Sequence, residues 1–352
     1  MNVALIYGGR SAEHEVSINS AKTIEKILKH NHHILYPIAI DRNGCWFLQK
    51  QVQNTIDEEI PLWIVPGSGI YAQSGMLPID VGFPTTHGRG GEDGNLQGLC
   101  TLAKIPLAGC DTVSSAIGMH KALAQSVFDR AGIPTIPTII VTEAMPVTDS
   151  LLEKLRQSLG SSLFVKPENA GSSVGITVLI EADLPSLARA LRLALSYSER
   201  ALVQPYYPEV IEAECAVFED PEQGIIACGP GVIKNPKKET FLSYSQKYTL
   251  KGGAYLELPS GLSDEVEEEI RTLAVRAFEA IKGNGYARVD FFLVDERPIL
   301  NEINTLPGLT ATSHWPKLLQ YGGYSIERVV DLLLEQAISD FDRRWNLRTS
   351  HD

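Results

Sequence analysis

The chain has 352 residues, 44% of them hydrophobic and 21% charged, ordinary values for a globular protein long enough for two or three domains. A net charge of −12, from 31 basic against 43 acidic residues, argues against non-specific nucleic-acid binding, and no apolar run is long enough to span a bilayer. The five cysteines (Cys45, Cys100, Cys110, Cys215, Cys228) form no C-x-x-C motif and no signal-like segment precedes "VALIYGG", so reduced thiols in a cytoplasmic protein are expected.

The first third alternates strand and helix signals. "VALIYGG" reads as a strand closed by two glycines. "EHEVSINSAKTIEKILKH" has helical spacing through Val16, Ile18, Ala21, Ile24, Ile27 and Leu28. "HILYPIAID" and "DVGFPTTHG" read as further strands and "DGNLQGLCTLAK" as a helix. The alternation predicts a parallel α/β sheet, with "GGRSAEHE" and "HGRGGEDG" at the strand ends where a ligand belongs. One helix is then expected over "SAIGMHKALAQSVFDRAG", closed by Gly132 with Pro134 beyond.

From there the pattern changes. "LFVKPENAGSSVGITVLI" reads as strand, glycine loop, strand, and lacks the G-K-[ST] ending of a P-loop. Its "GSSVG" offers backbone N–H groups to an anion, although many such loops are only tight hairpins. Lys166 stands inside an apolar strand, where a lysine needs an anionic partner: a phosphate or a structural carboxylate. "ALVQPYYPEVIEAECAVFED" and "GIIACGPGVIK" are strand-rich. Residues 235–260 form a long polar stretch without periodicity, which suits a lid that includes Lys247. "SDEVEEEIRTLAVRAFEAIKG" predicts a helix capped by Ser263, and "SIERVVDLLLEQAI" a closing one.

Between those helices, "YARVDFFLV" and "ILNEIN" read as strands joined by a turn at "DERP". Side chains two apart share a face, so Glu302 and Asn304 project together and the hairpin brings Asp290 beside them. Two carboxylates and an amide resemble a hard-cation site, with Mg²⁺ held against phosphate oxygens the usual case; a solvated sheet face has the same pattern.

In "GGRSAEHEVS", "HGRGGEDGNLQG", "FVKPENAGSSVGI", "ECAV", "YARVDFF" and "NEINTLPG", in order along nearly the whole chain, the sequence resembles the D-alanine–D-alanine ligases of the ATP-grasp superfamily. The resemblance implies an α/β and α+β ATP-grasp fold: a Rossmann-like N-terminal domain (1–117), a central subdomain (118–208) and a C-terminal subdomain with the lid and metal site (209–352). It implies ATP-dependent joining of two D-alanines through a D-alanyl phosphate, for peptidoglycan precursor synthesis, with a D-serine- or D-lactate-adding ligase as the alternative. Lys121, Lys166 and Ser173 would meet ATP phosphates, Gln204 and Tyr207 the adenine, Glu212 the ribose and Lys247 the γ-phosphate. Asp290, Glu302 and Asn304 would hold two Mg²⁺ (or Mn²⁺) ions. Arg288 and the Gly308 N–H would form the oxyanion hole. Glu13 would meet the first ammonium, linked through Ser172 to Tyr248, with His87 nearby; Ser313 and His314 would border the second substrate. The partners implied are ATP and D-alanine, with no nucleic acid and no membrane, in a homodimer.

Several positions depart from the family pattern. His120 stands where Asp is usual, Pro205 follows Gln204 in the hinge, and Ala170 precedes the glycine loop where a larger residue is common. His314 stands where the D-Ala-adding enzymes carry an apolar residue and the D-lactate and D-serine ligases carry Arg; an ordinary surface histidine is the alternative. A non-catalytic nucleotide sensor on the same fold would need neither the metal ligands nor Arg288. A dinucleotide oxidoreductase is disfavoured because "YGGRSAEH" lacks G-x-G-x-x-G spacing.

Overall fold

The structure, a computed structural model, describes residues 1–169, 171, 174–208, 210–235 and 254–348. It opens with strand β1 (Asn2–Gly8), helix α1 (His14–His30), β2 (Ile34–Ile40) and the edge strand β3 (Trp46–Leu48). Short strands β4 (Trp63–Val65), β5 (Gly69–Ala72) and β6 (Gly75–Met76) make a small antiparallel sheet, and β7 (Val81–Pro84) and α2 (Asn95–Leu102) follow. The main sheet has the order β3-β2-β1-β7, with β1 parallel to both neighbours. The expected parallel sheet is therefore present. Ile18, Ala21, Ile24 and Leu28 of α1 are buried against Val3, Leu5 and Tyr7, so the helical period places one apolar stripe on the sheet.

The helix expected over residues 115–132 is two. α3 (Thr112–Met119) starts on Asp111, whose carboxylate accepts from Val113 N and Ser114 N; α4 (Lys121–Arg130) follows after one residue. His120 between them is extended (φ −92°, ψ 90°). Apolar periodicity continues across the break, so nothing in the hydrophobic pattern signals it. Its effect is to set Lys121 at the first position of a helix.

The second sheet is antiparallel: β8 (Ile139–Thr142), β9 (Leu163–Pro167), β10 (Thr177–Leu179) and β11 (Arg200–Pro205) in the order β10-β9-β11-β8. Helices α5 (Asp149–Leu159) and α6 (Leu184–Leu195) cover one face, burying Leu155, Leu187 and Leu191 against Val165 and Val203.

The third sheet is formed by β12 (Ile211–Asp220), β13 (Gly224–Lys234), β14 (Tyr255–Glu257), β15 (Tyr286–Val294) and β16 (Arg297–Asn304), in the order β14-β13-β12-β15-β16. Part of the stretch expected to be aperiodic is thus a strand, β14, paired with β13. Helix α7 (Asp264–Ala280), capped by Ser263, covers one face through Ile270, Leu273 and Phe278. Phe128 of α4 joins the same core. Helices α8 (His314–Tyr321) and α9 (Ile326–Trp345) pack on the other side, where Trp315 and Leu333 meet the N-terminal sheet's core. The turn of the β15/β16 hairpin is shorter than "DERP": Asp295 and Glu296 alone form it, both at positive φ (51° and 61°), and Arg297 already pairs with Val294. Two left-handed residues match the right-handed twist of the strands.

No described helix is long and apolar enough to cross a membrane.

Gly8 ends β1 at φ +90°, and a Cβ there would lie 2.2 Å from the carbonyl oxygen of Ile40. Gly9, at φ +101°, has open space around it. Gly9→Ala is therefore expected to cost about 1–2 kcal/mol from the backbone conformation alone, and Gly8→Ala clearly more, because a paired backbone must move. Thermal denaturation of the two variants measures the difference; equal losses would contradict it.

Candidate active site

The third sheet has two unlike faces. Cys215, Val217, Val289, Phe291 and Ile303 are buried under α7. On the opposite face Glu214, Asp290 and Glu302 lie in register across β12, β15 and β16, with Arg288 opposite Asn304. Period-two alternation produces this division as far as Glu302. There the register shifts: Asp290 faces Glu302, Phe291 faces Leu300, and Asn301 is left over as a bulge. A bulge re-aims side chains. Here it allows Leu300 to enter the core while both Asn301 and Glu302 line the cleft between the second and third sheets.

The polar face is tightly paired. Arg288 Nε and Nη2 donate to the two oxygens of Asp290, each at 2.7 Å. Arg288 Nε is also 3.2 Å from Glu214 Oε2. Asn304 Nδ2 donates to Asp290 Oδ2 at 2.9 Å. Lys121 Nζ, at the start of α4, lies 3.3 Å from Glu302 Oε2. Burial opposes the charge of Arg288, but Asp290 and Glu214 hold its pKa well above the usual value. Burial lifts the Asp290 carboxyl to about 6; Arg288 opposes this, and the neighbouring Glu214 and Glu302 add to it. Carboxylates crowded this way repel one another, and a cation relieves the repulsion. Asp290, Glu302 and Asn304 present oxygen donors from neighbouring strands, so the residues present fit a hard divalent cation. Among the described residues no group of three or more His, Cys, Asp or Glu side chains has metal-binding geometry.

Lys166 is buried on β9, over the Phe164 ring, and its Nζ donates to Asn301 Oδ1 at 3.4 Å. Lys121, Lys166 and Gln204 line one cleft together with Asn301 and Glu302. Gln204 is buried on β11 and donates from Nε2 to Thr138 Oγ1 at 2.9 Å, which leaves its backbone at the strand end. Tyr207 follows, half-buried, and Glu212 lies on β12 two residues from Glu214.

The glycine-ended strand β1 delivers Glu13 to the start of α1. Cβ atoms built on Gly88 and Gly171 would lie 3.1 and 3.4 Å from Glu13 Oε2, so the carboxylate sits between the "HGRGGEDG" segment and the glycine loop. His87 is buried, with Nδ1 2.9 Å from Leu306 O and Nε2 3.3 Å from Ser20 Oγ. Burial lowers its pKa against the pull of Glu13. It is thus a neutral strut between the first sheet and the "NEINTLPG" loop. Ser20 Oγ also accepts from Leu309 N at 3.4 Å. Further along that loop, Gly308 packs so close to Ser313 that a Cβ would lie 2.8 Å from Ser313 Oγ. His314, which could have been a solvated surface histidine, is instead 2.9 Å through Nδ1 from Glu214 Oε2. Ser172, Ser173, Lys247 and Tyr248 lie outside the described residues.

Sequence reasoning did not single out Glu214, Asn301 or Glu92. Glu214 stands within "ECAV" at the spacing of Glu212, and only the strand register reveals its partners. Glu92 of "HGRGGEDG" is within electrostatic reach of Glu13, Lys121 and Glu302.

A parallel α/β sheet followed by two antiparallel sheets that close on a lysine- and carboxylate-lined cleft defines an ATP-grasp protein. The family models described as "D-ala D-ala ligase N-terminus" and "D-ala D-ala ligase C-terminus" match residues 2–110 and 127–335, and the chain belongs to the D-alanine–D-alanine ligase family. It is 38% identical to the D-alanine–D-alanine ligase of Thermoanaerobacter sp. (strain X514), covering 97% of this chain and 99% of the relative. It is 34% identical to D-alanine–D-alanine ligase A of Brucella suis biovar 1 (strain 1330), covering 96% and 98%. Its fold superposes on the D-alanine–D-alanine ligase from Coxiella burnetii with a TM-score of 0.84 at 29% identity, covering 99% and 98% of the two chains. The VanG D-Ala:D-Ser ligase from Enterococcus faecalis gives 0.82 at 30% identity, covering 96% and 99%.

Burial lifts the Glu92 carboxyl from 4.5 to about 8, Glu13 adding to the shift and Lys121 opposing it. The folded protein therefore holds a proton there that the unfolded chain has released. Stability from this group is full below about pH 4.5 and declines as pH rises through about 8. Glu92→Gln is expected to melt higher than the parent by a margin that grows across that window; a margin independent of pH would contradict the assignment.

Proposed function

We propose that this chain joins two molecules of D-alanine into D-alanyl-D-alanine with conversion of ATP to ADP and phosphate, in cytoplasmic peptidoglycan precursor synthesis. The supporting observation is the cleft lined by Lys121, Lys166 and Glu302, with Asp290 in register beside Glu302 and bonded to Asn304 and Arg288, in a chain that matches the family over nearly its full length. The reading divides the chain into a substrate domain (1–117) and two subdomains (118–208 and 209–352) that hold ATP between them.

In the first half-reaction the carboxylate of one D-alanine attacks the γ-phosphorus of ATP: the new O–P bond forms, the bond from that phosphorus to the β–γ bridging oxygen breaks, and ADP leaves with the electron pair. Two unit charges about 4 Å apart repel by roughly 4 kcal/mol at an effective dielectric near 20. Lys121 and Lys166 offset this from the cleft wall, with Lys247 as a third cation from the proposed lid, and Ser173 contacts the phosphates. Gln204 and Tyr207 read the adenine edge and Glu212 holds the ribose. Asp290, Glu302 and Asn304 would hold two divalent cations, Mg²⁺ or Mn²⁺, which when bound neutralise phosphate oxygens and brace in-line transfer. Glu13, between Gly88 and the glycine loop, takes the ammonium of the first D-alanine, with Ser172 and Tyr248 continuing that link and His87 bracing the loop. In the second half-reaction the amine of the second D-alanine attacks the acyl phosphate. The C–N bond forms, the C–O bond to phosphate breaks, phosphate leaves with the electron pair, and the nitrogen loses its extra proton to the departing phosphate or to solvent. Arg288 and the Gly308 N–H stabilise the oxyanion, and Ser313 and His314 border the second substrate. A homodimer is the proposed assembly.

The VanG enzyme's name gives the second reading, addition of D-serine. Product mass after incubation with ATP and D-alanine alone, then with added D-serine or D-lactate, separates the two. The expected product with D-alanine alone is the homodipeptide; product only when D-serine or D-lactate is added would replace the first reading.

Glu302→Gln keeps the shape of the cleft and removes one charge from the cation ligands. It is expected to lower D-alanine-dependent phosphate release by about 100-fold or more at saturating Mg²⁺, with a melting temperature close to the parent's. Asp290→Asn should lose at least as much activity and some stability as well, since Arg288 gives up an anionic partner. Near-parental turnover in either variant would remove these residues from the site.

A further inference from the structure

Glu214 has no role in the reaction as set out above, yet its carboxyl group is buried, at 8% exposure. Its Oε2 meets two side chains that lie far apart in sequence: it is ion-paired with Arg288, 3.2 Å from Nε, and hydrogen-bonded to His314 Nδ1 at 2.9 Å. We propose that Glu214 is a positioning residue for the second half-reaction, fixing Arg288 and turning His314 so that its Nε2 accepts an N–H of the incoming D-amino acid's ammonium. The inference rests on the reading that Arg288 stabilises the oxyanion and His314 borders the second substrate.

Two arguments support it. Both oxygens of Asp290 are engaged by Arg288, and the same carboxylate is a proposed cation ligand. Whenever Asp290 turns an oxygen to a cation, Glu214 remains as an anion beside the buried guanidinium. A buried arginine without such a partner is strongly destabilised. The second argument concerns the imidazole. A carboxylate oxygen only accepts, so His314 Nδ1 donates to Glu214 Oε2. In neutral histidine the other nitrogen is then a lone-pair acceptor. The His314 side chain is 26% exposed, so a ligand can reach the ring, and a carboxylate behind an imidazole strengthens its accepting nitrogen. An apolar side chain at this place would offer nothing to an ammonium.

The test combines ring NMR with steady-state kinetics. In ¹⁵N-histidine-labelled parent protein, neutral His314 should be the Nδ1–H tautomer, and Glu214→Gln, which can donate as well as accept, should shift it toward Nε2–H. Both His314→Leu and Glu214→Gln should raise KM at the second D-alanine site about ten-fold, the loss of one charge-assisted hydrogen bond, with KM at the first site unchanged. Glu214→Gln should in addition lower kcat, since Arg288 is less firmly held, whereas His314→Leu should not. Equal changes at both sites, or an Nε2–H tautomer in the parent, would overturn the proposal. If Glu214→Gln does not fold, the tautomer in the parent and the KM split in His314→Leu decide alone. A parent that makes no dipeptide refutes the reading of the reaction; an active parent without the KM split refutes only the role of Glu214.

Discussion

A guanidinium shared between carboxylates, on a sheet whose other face is a hydrophobic core, is the constraint around which the polar cleft is organised. Arg288 is gripped by Asp290 and flanked by Glu214, while the residues that alternate with them, Val289 and Phe291, anchor the same strand beneath α7. Charges can be held at such depth only when paired and hydrogen-bonded. The antiparallel register supplies the pairing: Glu214, Asp290 and Glu302 are brought abreast by three strands. Displacement of any strand by one residue would turn charge into the core and apolar side chains into the cleft.

The other parts of the site are brought to this row by elements that end beside it. The break at His120 starts α4 at Lys121, facing Glu302; β9 carries Lys166 to Asn301; the end of β1 and the start of α1 carry Glu13 to the glycine loop. His87 fastens the N-terminal sheet to the loop that follows β16. Three sheets thus meet at one polar seam, the first and third also sharing a hydrophobic core.

Much of this was legible in the sequence where a local period determined it. Alternation in "YARVDFFLV" and "ILNEIN" placed Asp290 near Glu302 and Asn304, and the helical stripe of residues 13–30 predicted α1 correctly. The apolar surroundings of Lys166 required a partner, though not Asn301, whose exposure to the cleft depends on a bulge that no composition signals. The break at His120 was missed because the apolar pattern continues through it. The partnership of Glu214 and His314 joins residues a hundred positions apart and follows from strand register and the start of α8, neither of which a single sequence specifies.

The bridge between Lys121 and Glu302 has a thermodynamic corollary. One end is a proposed phosphate contact and the other a proposed cation ligand, and in the structure the two are ion-paired. An anion arriving alone would draw Lys121 away and leave Glu302 without that counter-charge; a cation arriving alone would do the same to the lysine. Only when both arrive is the exchange balanced, each ion replacing the partner the other has taken. Nucleotide and divalent metal should therefore bind with positive coupling, and linkage makes that coupling reciprocal: whatever factor the metal adds to nucleotide affinity, the nucleotide adds to the affinity for metal.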